Sequence, residues 1–88
     1  MDEIMDNTLG YLREILANYN DEHHSEGRHL YRKLTLADFP GEGSFVKHLN
    51  QAEIDFLNKI LPKEINYAKE EKDEKRAHEL NEVYELLL

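Results

Sequence analysis

Residues 50–88 read NQAEIDFLNKILPKEINYAKEEKDEKRAHELNEVYELLL, and the rest of the chain takes its place around them. Asn50 is a suitable helix N-cap, and Glu53 follows at the three-residue spacing of a capping box. Ile54, Leu57, Leu61, Ile65 and Ala68 then recur in steps of three and four, which places them on one helical face. Phe56 and Ile60 widen that face. The pattern thins in the charged run Lys69–Arg76 and resumes at Ala77, Leu80, Val83, Tyr84 and Leu87. No Gly or Pro interrupts that run, and Lys, Glu and Arg are good helix formers. Glu71 and Lys75 are four apart in the favourable order, worth about 0.2–0.5 kcal/mol. The spacing predicts one continuous helix, with a hairpin turn near Asp73 as the alternative. Pro62 is a second weak point. It lacks an N–H and crowds the preceding turn, so the helix kinks or restarts there.

Residues 1–20 carry the second long pattern. Ile4, Met5, Leu9, Leu12, Ile15, Leu16 and Tyr19 form an apolar stripe, with Asp2, Glu3 and Asp6 suited to a helix N-terminus. Gly10 costs about 1 kcal/mol in a helix interior and marks a place where another helix could pack closely. At 1.5 Å per residue this helix spans about 28 Å, against roughly 55 Å for an unbroken C-terminal one. The mismatch requires the longer element to bend or the chain to dimerise.

Between them the signals are shorter. Residues 20–27 are polar and read as a loop. Arg28–Leu34 reads as a short helix with Leu30, Tyr31 and Leu34 on its apolar side and Arg28, Arg32 and Lys33 as a cationic cluster. Residues 35–38 suggest one helical turn that ends by Phe39, because Pro40 disfavours helical backbone before it. Pro40-Gly41-Glu42-Gly43 reads as a turn, after which Ser44 can cap a short helix bearing Phe45, Val46 and Leu49. No alternating strand pattern persists. The expected fold is all-α: one small domain, residues 1–88, whose N-terminal and middle helices pack on a long C-terminal helix or helical hairpin.

The chain holds no cysteine, which excludes disulfides and thiolate metal sites. It shows no apolar run of bilayer length and no signal-peptide pattern, so a cytoplasmic protein is expected. The formal net charge is -8. Residues 1–22 carry six acids and one base, residues 23–62 five of each, and residues 63–88 eight acids and five bases. On net charge alone, nucleic acid is an unlikely partner and a basic protein surface a more natural one.

No motif announces catalysis. Ser44-Phe45-Val46-Lys47 is an S-x-x-K string without its companion motifs. Gly41-Glu42-Gly43-Ser44 has no preceding strand and no Walker lysine. His23, His24 and His29, with Glu22 and Glu26, offer metal-ligand chemistry at a spacing that matches no known motif. No enzyme activity, cofactor or metal is expected. The surplus of apolar residues at the C-terminus points instead to protein contact through Leu80, Val83, Tyr84 and Leu87. The expected function is a small acidic regulator that binds a protein, masking a basic surface of a transcription or signalling factor, with a homodimer as one way to cover the apolar face. The alternatives are a metal-binding domain built on the histidine loop and a nucleic-acid module using Arg28, Arg32 and Lys33.

Overall fold

The computed structural model describes residues 7–20, 23–36 and 39–87. Five helices occur among them: α1 (Asn7–Ala17), α2 (Ser25–Leu36), α3 (Glu42–Lys47), α4 (Gln51–Glu70) and α5 (Glu74–Leu87). No strand is present among the described residues, and the expected all-α class holds.

α4 begins as its sequence requires. Glu53 N donates to Asn50 Oδ1 at 2.8 Å, and Asn50 N donates to Glu53 Oε1 at 2.9 Å, which completes the capping box. The helix does not restart at Pro62, which lies inside α4 on its exposed side. Leu57, Ile60, Leu61, Ile65 and Ala68 are buried, as the periodicity implies.

The expected continuity past Asp73 is not observed. The chain turns at Glu71 and Lys72, and α5 packs back on α4. An unbroken helix over residues 50–88 would be about 55 Å long, whereas the molecule's largest extent is 36 Å. The stop is a Schellman motif. Lys72 adopts a left-handed backbone with φ 61°. Its N–H donates to the Lys69 carbonyl at 3.0 Å, and Asp73 N donates to the Ala68 carbonyl at 2.8 Å. Asp73 then caps α5 by accepting from Arg76 N at 3.2 Å through Oδ1. The reversal lets Ala77, Leu80 and Val83 share one interior with α4.

α1 lies across α2 and α5 and buries Leu9, Leu12, Ile15 and Leu16. Ile4 and Met5 fall outside the described residues. Two polar clasps join α1 to α5. The buried Thr8 hydroxyl donates to the Glu79 carboxylate, and Arg76 pairs with Glu14 while lying 5.2 Å from the centre of the Tyr11 ring. The close packing expected at Gly10 is absent, since a Cβ there would meet nothing within 4 Å.

α2 starts three residues earlier than the sequence suggests and runs into Thr35-Leu36, which the sequence places in a separate turn. Residues 37 and 38 of that expected turn lie outside the described residues. Leu30 and Leu34 are buried. α3 is capped by Gly41 rather than Ser44 and contributes Phe45, which is fully buried. All five helices supply one apolar cluster. Among the described residues, no helix is long and apolar enough to cross a membrane.

Candidate functional site

The corner between α1 and α2 meets the middle of α4, and a cleft opens there. Two turn hydrogen bonds, Asn18 N to the Ile15 carbonyl at 2.9 Å and Tyr19 N to the Leu16 carbonyl at 3.0 Å, carry the chain out of α1. They deliver Tyr19 onto α4. The first helical bond of α2 runs from Arg28 N to the His24 carbonyl at 2.9 Å, which makes His24 the N-cap. Gly27 lets the two segments close. A Cβ at this position would stand 2.4 Å from the Tyr19 carbonyl oxygen and 2.7 Å from the Tyr19 Cβ. Glycine is required here by proximity to backbone, not by its own dihedral angles.

Tyr19 is the centre of this corner. Its ring meets His24 edge-to-face at 5.2 Å and Phe56 edge-to-face at 5.7 Å. Its hydroxyl donates to Glu64 Oε2 at 3.0 Å. Burial, then this bond, then the Glu64 and Tyr67 charges push the phenol up to about 12. Tyr19 therefore stays neutral and its hydroxyl stays committed to Glu64.

The cleft holds about 300 Å³ and is lined by Tyr19, Phe56 and Ile60 below and by His23, His24, Ser25, Glu26, Lys59 and Lys63 at its rim. Lys59 and Lys63 are exposed, one helical turn apart on α4, and neither pairs with another described residue. Two acids of this corner are engaged elsewhere. Glu64 accepts from Tyr19, and Glu26 accepts from Ser25 Oγ at 3.2 Å. Ser25, Arg28 and Arg32 follow helical spacing on α2, so the exposed guanidinium groups continue the face on which Ser25 lines the cleft.

Lys33, the third member of the cationic cluster, points elsewhere. Its ammonium donates to Glu53 Oε1 at 2.8 Å and to the His48 carbonyl at 2.7 Å. His23 and His24 border the cleft, but among the described residues no three His, Asp or Glu side chains converge on a metal position. Glu22, which the histidine-loop alternative also used, lies outside the described residues.

The residues expected to dock a partner are placed differently from one another. Leu80 and Val83 are both 0% exposed, inside the chain's own core. Tyr84 and Leu87 are half-buried against it. The reversal at Lys72 explains this, because it turns the α5 stripe onto α4. Sequence reasoning also missed the cleft. Gly27 was assigned to a loop, and nothing local announces that Tyr19 and Phe56 meet across 37 positions. The i, i+4 lysines on the polar side of α4 were the available signal.

Residues 5–88 match the protein family described as minor curli fiber component A. The chain belongs to that family. A family relative, the sigma-G-dependent sporulation-specific SASP protein of Bacillus subtilis (strain 168), is 50% identical over 84 residues, covering 96% of this chain and 100% of the relative. No solved structure matches the chain.

These similarities overturn the reading of a protein-binding regulator that masks a transcription or signalling factor, since the relative is a sporulation-specific SASP protein. The preference for a protein partner over nucleic acid falls with it. That preference rested on the net charge of -8, a whole-chain sum that says little about a local rim of exposed cations.

Proposed function

We propose that this chain is a sporulation-specific spore protein that contacts nucleic acid, DNA foremost, through the cationic rim of the α2–α4 cleft. It works by binding, not by catalysis, in the cytoplasmic space of the spore. The relative's sporulation-specific SASP name supports the spore setting. The observation that carries the site is the pair Lys59 and Lys63 at the rim of the cleft, neither paired with another described residue, with Arg28 and Arg32 exposed on α2. The surrounding charge is negative, so the contact is weak and steeply salt-dependent.

The test is fluorescence anisotropy of labelled oligonucleotides at low and rising salt. Contact with two to four phosphates gives a log–log salt slope of roughly −2 to −4. The double variant K59Q/K63Q reduces that slope by about 2. No binding of duplex or single strand at low salt would overturn the proposal.

A further inference from the structure

The same cleft says which form of nucleic acid fits it, an inference that rests on the function proposed above. Its floor is aromatic. Tyr19 and Phe56 are both half-buried, so each keeps part of its ring on the cleft, and His24 stands edge-on beside Tyr19. The Tyr19 hydroxyl is held by Glu64, which leaves that side chain a ring surface and not a free polar group. Lys59 and Lys63 rise from the rim on the α4 side. Aromatic platforms beside cations that track a backbone are the arrangement by which proteins hold single strands. A volume of about 300 Å³ is at the small end of ligand sites and suits one base.

We infer that the cleft receives one unpaired nucleobase of a single-stranded nucleic acid, against Tyr19 and Phe56, with the adjoining phosphate on Lys59 and Lys63. A base within a duplex is stacked and paired and cannot enter without being flipped out. The rim also disfavours a duplex. Glu26 stands at the mouth, and Asp55 lies one turn before Lys59 on α4, so a second phosphate strand would meet carboxylates.

The test compares a labelled single-stranded DNA oligonucleotide, the same sequence as RNA, and the DNA duplex, at equal low salt with the full chain. Single strands bind at least about fivefold more tightly than duplex, and Phe56→Leu removes that preference. The RNA and DNA arms show whether the sugar matters. In parallel, the ring-proton NMR signals of Tyr19 and Phe56 in the unsubstituted protein shift upfield when the single strand is added. That readout stands even if Phe56→Leu proves unstable. Duplex binding equal to or tighter than single-strand binding, or single-strand binding with unmoved Tyr19 and Phe56 ring signals, overturns this inference and leaves the proposed function intact. Absence of binding in every arm overturns both.

Discussion

The Lys33 ammonium donates to the Glu53 carboxylate at 2.8 Å, and this contact ties the last turns of α2 to the first turn of α4. Glu53 is 4% exposed and serves at once as ion-pair partner and as the reciprocal half of the capping box. Replacing Lys33 by Met leaves that carboxylate without its cation. The expected cost is about 2–3 kcal/mol, below the figure for a fully buried pair because Lys33 keeps partial contact with water. Urea denaturation at neutral pH measures it. A loss below about 0.5 kcal/mol would show that the pair behaves as a surface one.

Two glycines should respond in opposite senses. Gly27→Ala forces a Cβ to 2.4 Å from the Tyr19 carbonyl oxygen, a backbone atom that cannot move aside cheaply. We expect a cost of about 3 kcal/mol. Gly10→Ala meets open space within a helix and should gain up to about 1 kcal/mol. Thermal melts of both variants check the pair, with each kcal/mol moving the midpoint by about 4–8 °C in a chain of this size.

Lys72 holds a backbone conformation that glycine adopts without penalty. Lys72→Gly should therefore stabilise the chain by about 0.5–1 kcal/mol. Lys72→Val should do the reverse, since a β-branched side chain is poorly tolerated at positive φ. Chemical denaturation of the two variants gives opposite shifts in midpoint.

Tyr19 supplies a pH dependence whose sign follows from its direction. The folded phenol is pushed from the ordinary tyrosine value of about 10 up to about 12, so the folded state favours the protonated form. The stability this provides is complete below about pH 10 and is lost as the pH rises towards about 12. Near-ultraviolet titration should find a tyrosine ionisation step at about pH 12. Tyr19→Phe should abolish that late step, and Glu64→Gln should bring it earlier.

Arg28 and Arg32 make no base-reading contact in the scheme proposed above. Arg28→Gln with Arg32→Gln should weaken duplex and single strand alike and lower the salt slope by about 2. A selective effect on single strands would move the recognition surface from α4 to α2.

The helical class and the start of α4 were readable because their signals are local. Asn50 and Glu53 are three residues apart, and the stripe from Ile54 to Ala68 is periodic. The end of α4 was not. Its stop signal is usually glycine, and here a lysine occupies the left-handed position within a run of helix-favouring charges. Asp73 carried a capping signal, but nothing local distinguishes a capping aspartate from one within a helix. The cleft was less legible still. Its aromatic floor joins Tyr19 to Phe56, and its glycine is needed because of a neighbour distant in the chain. The burial of Leu80 and Val83 was hidden for the same reason, since whether they face inward depends on the turn at Lys72.

The placement of α1 between α2 and α5 also bears on how the chain acquires its shape. α5 is the last of the five helices to be synthesised, yet α1 packs on it as well as on α2. The α4–α5 hairpin needs only neighbouring segments and can zip quickly, whereas closing α1 onto α5 spans most of the polypeptide. Until α5 is in place α1 has only α2 to lie against, so the interior closes last along the α1–α5 seam.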